Sequence, residues 1–222
     1  MVLKVRIGWY LSMCLLVSAS WAQGLVPSAH EVVNSATQKV MAVVAESEAY
    51  VDEDPERYYQ QVQEILDPVI DFRGFARSVM GPYASSERYR SLDEAGRQQL
   101  REQLDTFTEV MRVGLVRTYS KGLLAYGDSR IEVFAAAEED TAAGRAAVRQ
   151  LVYNNQPEPY VLIYQMGQTK SGEWQLRNII IEGVNLGEIY RSQFEASARK
   201  NNGDLDAVIA SWTAVEVETE ET

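Results

Sequence analysis

RAAVRQLVYN (residues 145–154), PYVLIYQMGQ (159–168) and EWQLRNIIIE (173–182) follow one another, each rich in β-branched and aromatic side chains. RIEVFAA (130–136) precedes them, after a change of period at Gly127-Asp128. The breaks between the runs, Ala143-Gly144, Asn154-Asn155-Gln156-Pro157 and Lys170-Ser171-Gly172, carry turn chemistry. Connections this short cannot hold a crossover helix, so the four strands are expected to form an antiparallel meander.

Outward from the meander the spacing is helical. Ser28-Ala29-His30-Glu31 is a capping box, followed by Val32, Val33, Ala36, Val40, Val43 and Val44 up to about Tyr50. Asp54-Pro55 opens a second helix with Tyr58, Val62, Ile65 and Leu66 inward, ending before Pro68. A short helix spans Asp71 to Met80 and stops at Gly81-Pro82. Ser91-Leu92-Asp93-Glu94 reads as another capping box, opening the longest helix, to about Lys121, with Leu100, Leu104, Phe107, Met111, Leu115 and Thr118 inward. After the strands come Leu186 to Lys200 and Asp204 to Trp212. Helices first and strands later predict an α+β domain, a curved antiparallel sheet of about four strands with helices on one side.

The N-terminus carries a different message. Lys4 and Arg6 precede a mostly apolar run from Ile7 to Ala19, and Ser20-Trp21-Ala22 puts small residues where a signal peptidase reads. Residues 1–22 are therefore expected to be a cleaved signal peptide. The apolar run is shorter than the roughly 20 residues a spanning helix needs. Met13 is too bulky for Leu11-Ser12-Met13-Cys14 to serve as a lipidation site. Cleavage removes the only Cys, two of the 21 basic residues and none of the 32 acidic ones, leaving a formal charge of −13. Such a chain is not expected to bind nucleic acid or to adsorb to anionic lipid. Residues 23–213 fit a single domain, and 214–222 read as an acidic disordered tail.

Catalytic equipment is sparse. The single histidine, His30, sits in a first helical turn without Cys or carboxylate at ligand spacing, so no metal site is proposed. No Gly-x-Ser-x-Gly elbow, phosphate loop or dinucleotide fingerprint is present. Glu138-Glu139 reads as solvated surface. The apolar content says more: Tyr153, Tyr160, Leu162, Tyr164, Trp174, Leu176 and Ile179 to Ile181 exceed what one face of a small sheet must bury. Either the core is two-sided, or sheet and long helix stand apart around an oily cavity. Gly114, in that helix, favours the cavity, since a missing side chain there either admits a close neighbour or leaves room.

Two segments carry a resemblance. Asp71-Phe72-Arg73-Gly74-Phe75-Ala76-Arg77-Ser78-Val79-Met80-Gly81-Pro82-Tyr83 resembles a signature of the MlaC, or toluene-tolerance, family. Trp174-Gln175-Leu176-Arg177-Asn178-Ile179-Ile180-Ile181-Glu182-Gly183-Val184-Asn185-Leu186 resembles that family's W-x-x-x-D-x-x-x-E-G-V-S-[LM] segment, with Asn178 where Asp is common. The likeness continues through Tyr190-Arg191-Ser192-Gln193-Phe194 and Gly203 to Ile209. It implies an NTF2-like cone with a deep apolar pocket. It also implies a periplasmic, non-enzymatic carrier of phospholipid that needs no cofactor. The implied partners are an outer-membrane lipoprotein–porin complex and an inner-membrane ABC transporter with a periplasmic lipid-binding ring.

Beside that resemblance, a dry lining is expected from Phe107, Val110, Met111, Gly114 and Leu115 on the long helix. Val133, Leu151, Leu162, Tyr164, Leu176 and Ile180 on the strands would face them, although alternation shows which residues share a face and not which face is inward. Met111 and Met166 would adapt to different chains. Arg73, Arg77 and Arg191 are the candidates for headgroup or partner contacts. The rivals are an enzyme of apolar molecules on the same cone, marked by a polar dyad in the pocket, and an adaptor with a filled core.

Overall fold

Ser28 opens the first helix reciprocally with Glu31. Its hydroxyl accepts from the Glu31 N–H at 3.2 Å, and the Glu31 carboxylate accepts from the Ser28 N–H at 2.7 Å. A computed structural model describes residues 26–135, 143–154 and 157–213. The expected leader (1–22), the acidic tail (214–222) and Glu138-Glu139 lie outside the described residues. Helix α1 is Ala29–Ser47, α2 is Pro55–Leu66 and α3 is Phe72–Met80. Asp54 and Asp71 cap α2 and α3 by accepting from backbone N–H groups. Helix α3 stops at Gly81, where φ is 54° and the Arg191 guanidinium lies against the missing side chain.

A short helix not foreseen from spacing, α4 (Ser86–Ser91), precedes α5 (Glu94–Leu123). Consequently Ser91 does not cap the long helix. It ends α4 by donating to the Arg88 carbonyl, and Asp93 caps α5 by accepting from the Gly96 N–H at 2.8 Å. The chain then forms β1 (Arg130–Phe134), β2 (Arg145–Tyr153), β3 (Tyr160–Gln168), β4 (Trp174–Ile181) and β5 (Val184–Asn185). The strands lie in sequence order, each antiparallel to the next. The fold is therefore α+β, with one two-residue strand more than expected. Glu182 and Gly183, at φ 49° and 79°, make the tight turn from β4 into β5. Helices α6 (Leu186–Lys200) and α7 (Leu205–Ala210) complete the described chain.

Three apolar clusters fix the helices. The largest joins α3, α5, α6 and α7 through Phe75, Phe107, Met111, Tyr190 and Phe194. A second packs Ala29 and Val33 of α1 on Ala146, Val148, Met166 and Trp174 of the sheet. The third ties α1 and α2 to α5, where the buried Tyr58 hydroxyl donates to the Ser120 carbonyl at 2.8 Å. Burial pushes that hydroxyl up to about 12, so it stays a donor.

One local irregularity sets the face of every residue in β4. Met166 pairs with Leu176, but Gln165 pairs with Asn178, so Arg177 is an extra residue. Such a bulge reverses the alternation beyond it. Leu176 and Ile179 therefore share the helix-covered face, while Ile180 goes to the other. Arg177 itself lies over Gly167 and reaches Asp71 in an ion pair. The segment before Asp71 is drawn to the same strand: Leu176 donates to the Val69 carbonyl and accepts from the Asp71 N–H, at 2.8 and 3.0 Å.

Candidate functional site

Between the sheet and the helices lies a cavity of about 400 Å³, within the size range of small-molecule sites. Helix α1 supplies Val33, Ala36, Thr37, Val40 and Met41, on the stripe that its 3.6-residue period buries. Leu66, Val69 and Ile70 enter from the end of α2 and the link paired to β4. The last turns of α5 add Thr118, Tyr119, Gly122 and Leu123, followed by Tyr126. The sheet contributes Ile131, Gln150 and Val152, then Tyr160, Leu162, Tyr164 and Met166, then Leu176, Ile179 and Ile181. Leu186, at the start of α6, lies where the cavity meets the large core cluster.

Of the eleven residues expected to line a pocket, Leu162, Tyr164 and Leu176 line this cavity. The α5 residues do not. Phe107 and Met111 are fully buried among α3, α6 and α7, and Val110 and Leu115 pack against that same cluster. Gly114 is also absent from the lining, because the cavity begins one turn further along the helix, at Thr118. Val133 is on the helix-covered face but packs at the Ala29–Trp174 cluster. Leu151 lies on the outer face, since Ala146, Val148, Gln150 and Val152 take the buried positions of β2. Ile180 is turned outward by the bulge at Arg177. Met111 is core, whereas Met166 lines the cavity.

None of the three arginines stands in the lining. Arg73 pairs with Asp105 across α3 and α5. Arg77 donates to the Ala84 carbonyl and the Ser86 hydroxyl, at 3.2 and 2.8 Å, bracing the turn that follows α3. Arg191 donates to the Ser78 carbonyl at 3.1 Å. The first motif segment is thus scaffold, whereas the second also supplies Leu176, Ile179, Ile181 and Leu186 to the lining. Asn178 is a hub: its carbonyl oxygen accepts from the Gly187 N–H at 3.0 Å, and its amide donates to Asn185 at 2.8 Å and to Gln165 at 3.0 Å.

Residues that sequence reasoning missed come mainly from α1 and the end of α5. Their apolar spacing was visible, but a stripe facing a core and a stripe facing a cavity look alike. Polar residues in otherwise buried rows were the available signal. Thr37 sits in the α1 stripe and Gln150 in the inward row of β2, where the Thr37 hydroxyl donates to the Gln150 side-chain oxygen at 2.9 Å. Burial pushes the hydroxyls of Tyr164 and Tyr119 upward, opposed by Gln150 and Tyr190 respectively. Among the described lining residues none is Asp, Glu, Lys, Arg, His or Cys. Such a lining can shelter hydrocarbon and donate a few neutral hydrogen bonds. His30, outside it, is within 3.1 Å of the Val133 carbonyl.

Comparison with known proteins bears on this chain directly. The MlaC protein family model matches residues 34–214. The chain belongs to the MlaC family. The toluene tolerance protein Ttg2D of Pseudomonas putida is 30% identical over 183 residues, which cover 82% of this chain and 79% of Ttg2D. The match takes in α2 to α7 whole, most of α1 and all five strands, so every lining residue of the cavity but Val33 lies inside the matched region. No helix among the described residues of this MlaC chain is long and apolar enough to cross a membrane.

Proposed function

We propose that the chain is a periplasmic carrier of phospholipid, exported by its first 22 residues, whose cavity shelters acyl chains while it moves between membranes. The observation that carries this reading is an uncharged, mostly apolar cavity in a chain of the MlaC family. Exposing a sixteen-carbon chain to water costs roughly 12 kcal/mol at ~0.8 kcal/mol per methylene. A carrier must replace that shelter with a continuous dry wall, and the α1–α5–sheet lining is of that kind.

Loading and release need no covalent step on this reading. A partner that widens the mouth or offers a competing apolar groove is sufficient. An outer-membrane lipoprotein–porin complex would load or accept lipid at one side, and an inner-membrane transporter with a periplasmic lipid-binding ring at the other. Together the traffic would maintain outer-membrane lipid asymmetry. The polar pair in the pocket, Thr37 with Gln150, is a hydroxyl and an amide, and a described lining without carboxylate, imidazole, amine or thiol supports carriage over acid–base or nucleophilic catalysis.

Organic extraction and mass spectrometry of the chain purified from the periplasm test the proposal. Unmodified phospholipid in stoichiometric amount is the expected result. An empty protein, or one holding hydrolysed product, would overturn it.

A further inference from the structure

Among the described residues of the oily wall, Thr37, Gln150 and Tyr164 form a polar cluster. Gln150 is 5% exposed on the helix-covered face of β2. Its cross-strand partner is Leu162, and Tyr164 follows two residues along β3, the diagonal position at which side chains on one face still meet. Thr37 leans in from α1 and donates its hydroxyl proton to the Gln150 side-chain oxygen at 2.9 Å. The Gln150 side chain also bears on the Tyr164 hydroxyl, opposing the rise that burial causes. Tyr164's own proton meets no acceptor among the described residues, and the cavity around it is lined by Leu162, Met166, Leu176 and Ile179.

The cluster therefore offers a neutral donor and no charge. A phosphate brought there would shed its water without gaining a cation. An ammonium would set donors against a donor. Plain hydrocarbon would leave the proton unmet. The complement is an uncharged oxygen with lone pairs and no proton of its own.

We propose that Tyr164, held by the Thr37–Gln150 pair, donates a hydrogen bond to the acyl ester carbonyl of the bound lipid. The proposal rests on the carrier reading and adds which atoms of the lipid the cavity recognises. Tyr164 and Gln150 then fix the depth at which the glycerol esters lie, while the rest of the lining treats chains alike. Thr37 and Gln150 are positioning residues.

Competition between ester and ether lipids tests this. The purified protein, stripped of lipid, is offered vesicles containing equal amounts of dipalmitoyl phosphatidylcholine and its dialkyl ether analogue, and the captured lipids are weighed by mass spectrometry. The wild type is expected to prefer the ester about threefold to tenfold, the worth of one net hydrogen bond. Tyr164→Phe, which removes one oxygen and keeps the ring, is expected to bring the ratio to about one. Thr37→Val is expected to reduce the preference partially. A wild-type ratio of one, with lipid bound, overturns the ester contact and leaves the carrier reading standing. Capture of neither lipid overturns the carrier reading itself. Palmitic acid displacing the diester at equal concentration would assign the donor to a free carboxyl group and overturn the ester assignment. The wild-type comparison requires no variant, so a Tyr164→Phe protein that misfolds does not protect the proposal.

Discussion

The two halves of α5 are built from similar side chains and are surrounded differently. From Leu100 to Met111 the inward row meets α3, α6 and α7. Phe107 is fully buried there, its ring 5.0 Å from that of Phe194 and 5.1 Å from that of Trp212. From Thr118 onward the same helix faces open space, bounded by Ala36 and Thr37 of α1 and the inner rows of the sheet. At Gly122 an added side-chain carbon would find no atom within 4 Å. The apolar character of the helix is not what changes between the halves. What changes is the layer above it: large aromatic side chains from α6 and the end of α7 fill the first half, while α1 brings small residues to the second. The cavity is a gap in that layer.

Substitutions in each half should therefore separate stability from cargo. Phe107→Ala is expected to cost about 3–5 kcal/mol, as large-to-small changes in a dense core do. In a chain of this length that lowers the melting temperature by about 10 °C. Lipid per folded molecule should stay within about twofold of the wild type. Leu162→Trp combined with Ile179→Trp should do the reverse, filling the gap with little loss of stability and reducing extractable lipid by about tenfold or more. Thermal melting and lipid extraction on both proteins decide the matter. A Phe107→Ala protein emptied of lipid beside a fully loaded double Trp protein would break the distinction between the halves.

Much of this was readable before any coordinates. The capping box at Ser28, the caps Asp54 and Asp71, the stop at Gly81 and the strand runs are local signals, and local backbone chemistry enforces them. Family membership was legible in the two motif segments. The lining was not, for three physical reasons. A helical stripe does not reveal whether its neighbour is a side chain or a void, so nothing in the spacing separates Phe107 and Met111 from Tyr119 and Leu123. In β2 alternation shows two rows and not which is inward: Leu151 belongs to the outer row with Arg145 and Arg149, opposite Ala146, Val148, Gln150 and Val152. In β4 the extra residue Arg177 broke the period of two, and no alternation rule carries Leu176 to Ile179 across it.

The closed half of the comparison can be sharpened at Asn178. Its side chain holds the start of α6, whose Leu186 packs beside α5. The related family segment carries Asp and Ser where this chain carries Asn178 and Asn185. As an amide, Asn178 donates to the side-chain oxygens of Asn185 and Gln165, which a carboxylate cannot do. Asn178→Asp alone is expected to cost about 1–2 kcal/mol, because it sets a charged acceptor against two acceptors. Adding Asn185→Ser replaces one of those acceptors with a donor and keeps a good helix cap. At least half of the loss should return in the double variant, as measured by denaturant midpoints of all four proteins. Simple additivity of the two substitutions would show that the pair is not coupled.

The open half depends on α1, and its smallest expected effect lies at that helix's first turn. The Glu31 carboxylate accepts from the Ser28 backbone N–H and also interacts with the Ser28 side chain, which together hold its pKa below the ordinary 4.5. A carboxylate lowered on folding adds stability that is complete above its unfolded value and disappears as pH falls through the lowered folded value. Glu31→Gln keeps a side chain that can still reach the cap but removes the charge. The melting temperature of the variant should therefore lie slightly below that of the wild type at pH 7, and the gap should close between pH 4.5 and strongly acid solution. Lipid content should not change at either pH, because Glu31 lies outside the lining. A gap that persists unchanged into acid would mean that the charge of Glu31 does not hold α1 over the cavity.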